Sequence, residues 1–313
     1  MIDFTVAICT YNGENRLPDV LEKLHSQIGT ETFNWEIIIV DNNSKDNTAK
    51  VVEEYQYNSS KAYPIKYYME PEQGLAFARR CAVKHANSPL IGFLDDDNLP
   101  NQNWVAAAYR FARKYPKVGA YGGQIHGKFE GEPPVGFERI ARYFALIQGE
   151  ESYCYNYKYK NTIYKMFPPG AGIVIRKEAW LASIPERPLL PQTSEDIEML
   201  SQIWEGGWEI WFNPEMEMDH VIPKSRFDGD YLKRFFRDNG LCRYYIRMLK
   251  YKRWQMPLVI PGYMANDLRK LMCHWLKYRK VLKDDKVAAG EMELLLSTLL
   301  SPFSISRQKL IGK

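Results

Sequence analysis

The chain reads as an α/β protein, a mostly parallel sheet flanked by helices, with a basic helical appendage at its C-terminal end. Two observations predict the sheet. Over the first hundred residues, apolar runs of strand length alternate with amphipathic helical stretches, the pattern of βαβ units whose strands are buried on both faces. Each run also ends in polar side chains, and open parallel sheets bind ligands beyond the carboxyl ends of their strands. Charge predicts the appendage. Residues 224–313 hold 20 Lys/Arg against 8 Asp/Glu, whereas the preceding residues hold 22 against 30. The expected division is therefore 1–223 and 224–313.

The segment "FTVAICTY" (4–11) is a buried strand, and Pro18 to Gln27 form a helix after it, with Leu17, Val20, Leu21 and Leu24 on one face. "WEIIIVDNNS" (35–44) is a second strand ending in a polar turn, and Asp46 or Asn47 caps the helix after it. "PIKYYME" (64–70) is a third strand, residues 73–86 a helix entered through Gly74, and "PLIGFLDDDN" the fourth strand. Residues 103–116 form a helix and 118–125 a strand. The Tyr- and Lys-rich stretch 127–165 reads as an irregular or partly helical insertion. "FPPGAGIVIRKEAW" returns to a strand, "SEDIEMLSQIWEGG" is a helix capped by Ser194, and "WEIWFNPEMEMDHVIP" is a final strand pair. Beyond Pro223 come basic amphipathic helices.

The 313 residues suffice for one large α/β domain, or a domain plus an appendage, and 45% hydrophobic with 26% charged residues is ordinary for a soluble globular chain. Five cysteines with no CxxC pair argue against a disulfide framework and against a zinc site, so a reducing cytosol is expected. The start "MIDFTVAICTYN" lacks the basic flank of a signal peptide. The apolar run "WQMPLVIPGYMA" holds two prolines and is shorter than the ~20 residues a membrane span needs.

In "LIGFLDDDNLP" (90–100) three adjacent carboxylates, Asp95, Asp96 and Asp97, come directly after a buried run. A turn and helix-cap cluster is one reading, since Asp and Asn favour such turns. An EF-hand calcium loop lacks the required spacing. The third reading is a divalent cation with a diphosphate. Mg²⁺ and Mn²⁺ take oxygen ligands from one or two carboxylates plus substrate phosphates, and the cation offsets the repulsion among the carboxylates.

"VAICTYNGENRLPDVLEKL", "EIIIVDNNSKDNT", "EPEQGLAFARRCAVKHA", "LIGFLDDDNLP" and "EDIEML" in this order resemble the family 2 glycosyltransferases of the GT-A (Rossmann-like) fold, over residues 4 to about 222. More loosely, "PEQGLAFARR", "GFLDDDNLP", "PPGAG" and "GWEIWFNP" are similar to the cyanobacterial branch that makes hormogonium-type polysaccharide. The resemblance implies a metal-dependent, inverting transferase. It would move a sugar from a nucleotide-diphosphate donor, UDP-linked by preference, to a glycan or lipid-linked acceptor, with Mn²⁺ or Mg²⁺ as cofactor.

The same resemblance implies roles. Thr10, Tyr11, Asn12 and Glu14 lie at the donor nucleotide, and Asp41 accepts from the base. Gly74 and Arg79 match a G-x-x-x-A-R segment near the nucleotide. Asp95 and Asp97 match the D-x-D pair, with Asp97 as direct metal ligand and Asp96 in the variable middle place of the donor site. Asp196 matches the general base, although Glu195 and Asp196 also suit a helix N-terminus. His220 is read either as a further metal ligand or as a strand residue. Gly170 and Gly172 would admit the donor sugar, and Trp204, Trp208 and Trp211 either stack on acceptor sugars or pack in the core.

The basic helices either pack on the catalytic region or dock on an anionic membrane, which would place a cytoplasmic enzyme at the inner face of the cell membrane. Nucleic-acid binding fits poorly with the acidic front half. Two other classes stay open. A sugar-nucleotide-forming nucleotidyltransferase would need a Gly-rich basic phosphate loop where "TYNGENR" supplies one glycine, and a non-catalytic nucleotide-sugar binding protein would show no turnover.

Overall fold

Seven consecutive buried residues, Phe4–Thr10 (β1), run through the parallel part of a nine-stranded sheet. The computed structural model describes residues 1–58, 63–158, 167–186, 195–248 and 251–311. Ser194 and part of the 127–165 insertion lie outside them. After β1 the elements are α1 (Leu17–His25), β2 (Trp35–Asp41), α2 (Thr48–Asn58), β3 (Ile65–Met69), α3 (Leu75–His85), β4 (Leu90–Asp95), β5 (Asn98–Pro100), α4 (Trp104–Lys114) and β6 (Val118–Phe129). Then come β7 (Tyr153–Cys154), α5 (Tyr155–Lys158), β8 (Val174–Arg176), α6 (Lys177–Ser183), α7 (Glu195–Glu205), β9 (Glu209–Ile222), α8 (Gly229–Leu241), α9 (Arg243–Met248), α10 (Met256–Tyr278) and α11 (Lys286–Ile311).

The sheet runs β3-β2-β1-β4-β8-β6-β9-β5. The first four strands are parallel, and β8 joins β4 antiparallel. Register aligns the strand ends. Thr10 pairs with Asp41 and Cys9 with Asp95, so the polar ends of β1, β2 and β4 finish level on one edge. Gly92 within β4 makes room for a core ring: a Cβ there would lie 2.8 Å from Trp104 and 3.0 Å from Phe4, which meet edge to face.

One charge is buried in this sheet among matched partners. Glu36 on β2 is fully buried and accepts from the Thr5 hydroxyl (3.0 Å), the Asn87 N–H (3.1 Å) and Lys66 Nζ (2.6 Å). Burial alone would raise its pKa, but Lys66, Asn87 and Thr5 together outweigh it and hold the carboxyl below its usual range. A depressed folded value means that this stabilisation is complete above the unfolded value of 4.5 and is lost as pH falls through the folded one. Glu36→Gln should therefore cost about 1–3 kcal/mol near neutral pH, Lys66 being part-exposed and able to reach water. Urea titrations should show the gap between variant and parent closing below about pH 4.

The chain divides into two compact units. The first comprises Met1–Lys128, Ala145–Pro188 and Asp196–Val221, and the second Phe129–Phe144, Leu189–Glu195 and Ile222–Lys313. In the second, α8 and α11 cross at close range. A Cβ on Gly240 would lie 2.6 Å from that of Ser297, and one on Gly290 2.7 Å from the Phe236 ring. Arg139 ties the segment 129–144 to α11 through Glu291 (2.9 Å), and Phe129, Phe137, Phe144 and Phe227 pack ring on ring.

One expected element differs. Residues 209–222 form one strand, not a pair, because β9 changes neighbours along its length. Its Trp211 and Phe212 pair with β7, its Met218 to His220 pair with β5, and Pro214 falls between. The apolar, proline-bearing run before Asn266 is helical and opens α10, with Pro257 in the first turn, where a missing N–H costs nothing.

Candidate active site

The carboxyl ends of β1, β2 and β4 are joined by side chains that reach across the edge. Asn12, in the left-handed region (φ 51°), donates its N–H to Ser44 (2.9 Å) and accepts from the Lys45 N–H (2.8 Å). Glu14 accepts from Asn47 N and Nδ2 at 2.9 Å each. Gly13 donates to Thr48 Oγ1 (2.9 Å), and any side chain there would overlap Thr10 Oγ1. The loop after β1 is thereby fastened to the loop after β2, and Tyr11 is left exposed.

Asp96 is committed. Arg16 forks onto both of its oxygens (2.8 Å each), and the Thr10 hydroxyl donates to Oδ2 (2.6 Å). This middle carboxylate and Thr10 thus anchor the β1 loop. Asp41 is buried at the end of β2, accepting from Ser44 N (2.8 Å) and Tyr67 Oη (2.7 Å). Burial and then the Asp41 carboxylate raise the Tyr67 pKa, so the phenol remains a donor. Asn42 clamps the turn leading to α3. Its Nδ2 donates to the carbonyls of Glu70 (3.1 Å) and Glu72 (2.7 Å), and its Oδ1 accepts from Gly74 N (2.7 Å). Gly74, at φ 136° and ψ 138°, holds a backbone conformation that L-residues avoid.

Arg79 on α3 is the hub. It is 3% exposed, and its guanidinium binds the Asp196 carboxylate on α7 and donates to Gly170 O (3.4 Å). It lies 4.0 Å from Asp95 and 5.4 Å from the centre of the Phe93 ring. Gly170 was expected to admit a sugar. Its lack of a side chain instead makes room for the Asp196 carboxylate, which a Cβ would overlap. Gly172, in the left-handed region (φ 65°), likewise faces Met218. Asp95 keeps a third of its side-chain surface but sits deep in the edge. Lost hydration pushes its carboxyl up to about 6; Arg79 opposes the rise, while Asp97, Asp196 and Asp96 add to it.

Asp97 reaches toward β9. Its Oδ2 lies 3.4 Å from His220 Nε2, and Asn98 Nδ2 donates to its Oδ1 (3.0 Å). Asn98 is fully buried, and its Oδ1 accepts from Asp95 N (3.0 Å), closing the triplet into a turn. The pairing of Asn98 with His220 across β5 and β9 brings the histidine to this place. Among the described residues no group of three or more Asp, Glu, His or Cys converges as a cation cage. Asp97 and His220 still fit a cation, since adjacent ligands at ~2.1 Å bonds lie roughly 3–3.4 Å apart and Mg²⁺-type sites take their other ligands from phosphate and water.

The three tryptophans serve packing. Trp211 stacks on Tyr115 (4.5 Å), Trp208 lies against Gly119, and Trp204 is half-buried beside the core. Arg16, Asn42, Tyr67 and Asn98 escape a reading by motif. Asn42 and Asn98 do sit directly beside the strand-end aspartates, and that adjacency is their only linear signal.

The sequence profile of glycosyl transferase family 2 matches residues 5–179. The chain belongs to this family. Among its relatives, TuaG of Bacillus subtilis, a glycosyltransferase named for teichuronic acid biosynthesis, is 26% identical over 49% of this chain and 56% of its own length. WfgD of Escherichia coli, a UDP-Glc:α-D-GlcNAc-diphosphoundecaprenol β-1,3-glucosyltransferase, is 32% identical over 34% of this chain and 38% of its own. The chain thus spans little more than half the length of these relatives, or less. S. aureus TarS 1–349 in complex with UDP superposes with a TM-score of 0.54 at 16% identity, over 98% of this chain and 92% of that 1–349 fragment. The mannosyltransferase PcManGT from Pyrobaculum calidifontis, in complex with GDP-Man and Mn²⁺, gives 0.62 at 16%, over 96% and 87%. These likenesses show a shared GT-A fold.

Proposed function

We propose that this family 2 protein transfers a sugar, with inversion, from a UDP-sugar to a hydroxyl of a glycan or lipid-linked saccharide in polysaccharide assembly. One observation carries the reading. A single buried guanidinium, Arg79, contacts both Asp95 of the strand-end triplet and Asp196 of α7, so a base candidate lies at the same sheet edge as the strand-end carboxylates. TarS bound to UDP or UDP-GlcNAc, and a relative that uses UDP-Glc on a diphosphoundecaprenol-linked sugar, support the donor and acceptor classes.

In this reading Asp196 accepts the acceptor hydroxyl's proton. The freed oxygen bonds to the anomeric carbon as its bond to the diphosphate oxygen breaks, and the electron pair leaves with UDP. Arg79 fixes one oxygen of Asp196 and leaves the other to take the proton. Asp97 and His220 would hold a divalent cation, Mn²⁺ as in PcManGT or Mg²⁺, which when bound supplies Lewis-acid stabilisation of the leaving diphosphate. Asp41, oriented by Ser44 and Tyr67, accepts from the base. Thr10, Asn12, Glu14 and Asp96 shape the loop under the nucleotide, so their contribution to donor binding is positional. The proposed working division is a catalytic region within 1–223 and a helical appendage from 224 onward.

Asp41→Asn should weaken UDP binding about 10- to 100-fold in calorimetry, since a hydrogen bond to a charged group is worth about 1.5–3 kcal/mol. Unchanged UDP affinity would remove Asp41 from the base-recognition role.

A further inference from the structure

Helix α10 is 23 residues long, and among them only Asp267 is buried. That carboxylate is taken up within the second unit by Arg247 (2.8 Å), whose guanidinium lies over the Tyr263 ring. The opposite side of the helix carries exposed apolar side chains. Leu258, Leu268, Met272, Trp275 and Leu276 are 44% to 72% exposed. Their spacing in threes, fours and sevens, with Pro261 and Ala265 between, sets them on one stripe of a 3.6-residue helix.

Charge along the stripe has one sign. Arg269, Lys270 and Lys277 are exposed and run along its edge, and Asp267 is the only acidic residue between Met256 and Lys283. No helix of the described residues is long and apolar enough to cross a membrane. From Leu258 to Leu276 the stripe is ~27 Å long at 1.5 Å per residue. That is an in-plane length for a helix lying in a headgroup layer with its apolar side sunk and its basic edge at the phosphates. A second copy is a poorer occupant, because stripe-to-stripe contact would bring basic edges together with no acidic residue to meet them.

We infer that the exposed stripe of α10 is a docking surface for an anionic lipid bilayer, with Leu268, Met272, Trp275 and Leu276 entering the headgroup region and Arg269, Lys270 and Lys277 meeting lipid phosphates. It goes beyond the transfer reaction and does not depend on it.

The test is sedimentation of the full chain with sucrose-loaded vesicles of phosphatidylcholine, alone or with about one-third phosphatidylglycerol. The anionic vesicles should bind at least about tenfold more chain than the zwitterionic ones, and less as salt rises. Leu268→Glu with Leu276→Glu should lower that binding about tenfold or more at an unchanged melting temperature. Should that variant unfold, Arg269→Gln with Lys277→Gln, which alters only exposed side chains, should lower binding and flatten its salt dependence. Equal sedimentation with both vesicle types, or variants that bind like the parent, would overturn the proposal. So would a dimeric mass in light scattering that the Glu variant converts to monomer. Neither double variant touches the candidate active site, so donor turnover without vesicles should be unchanged and the two readings fail separately.

Discussion

Asp196→Asn should lower sugar transfer roughly a thousandfold, within the 10²–10⁴ range of general acid–base catalysis, while UDP affinity stays within about twofold of the parent. The amide keeps the shape of the carboxylate and an oxygen for Arg79 but cannot take up the acceptor's proton. Arg79 makes the prediction specific, because that guanidinium is 3% exposed and holds Asp196 where Gly170 leaves room for it. Asp196→Ala is a different experiment. It removes the guanidinium's closer carboxylate and leaves Asp95 at 4.0 Å and the Gly170 carbonyl among its partners, and a buried charge stripped of that closer partner costs about 3 kcal/mol of stability. The Asn variant should therefore melt near the parent and the Ala variant well below it. If Asp196→Asn also loses UDP, Asp196 belongs to donor binding and not to proton transfer.

Asp97→Ala should abolish the Mn²⁺-dependent part of UDP binding and lower Mn²⁺ affinity at least about 10- to 100-fold, read by the free-Mn²⁺ electron paramagnetic resonance signal without turnover. Asp97 and His220 are the ligand-type pair that meets at this edge, 3.4 Å apart, so His220→Ala should act in the same direction. Asn98→Ala removes the amide that orients Asp97 Oδ1 and should reproduce a part of the loss. Asp96→Asn offers the contrast. Its carboxylate is taken by Arg16 and Thr10, so Mn²⁺ affinity should hold while the loop after β1 loosens.

Strands β1, β2 and β4 were legible because each is a mostly apolar run of seven or fewer residues bounded by polar turns, and the shared edge was implied by where those runs stop. What motif reading could not see was which of these polar residues hold one another. Thr10, Asn12, Glu14 and Asp96 look alike on paper as donor contacts. In the fold Thr10 Oγ1, Asn12 N, Glu14 Oε2 and Asp96 Oδ2 each bond a partner 32 to 86 residues away. The same holds for Arg79. Its place in a G-x-x-x-A-R stretch suggested the nucleotide, but its partner Asp196 is 117 residues on. Asn98 and His220 are paired by β5, a three-residue strand too short to leave a periodic signal. Gly170 could be read as open space, but only the fold shows that the space belongs to a carboxylate.

The most direct test of sugar transfer at this edge is product formation by the full chain with a panel of UDP-, GDP- and dTDP-sugars, each with Mn²⁺, with Mg²⁺ and with excess chelator. UDP should be released from at least one UDP-sugar, that release should be lost in chelator, and it should be lost again in Asp196→Asn despite retained UDP binding. Release that persists in chelator, or a chain that binds UDP and consumes no donor with any acceptor sugar offered, would contradict metal-dependent transfer at this site.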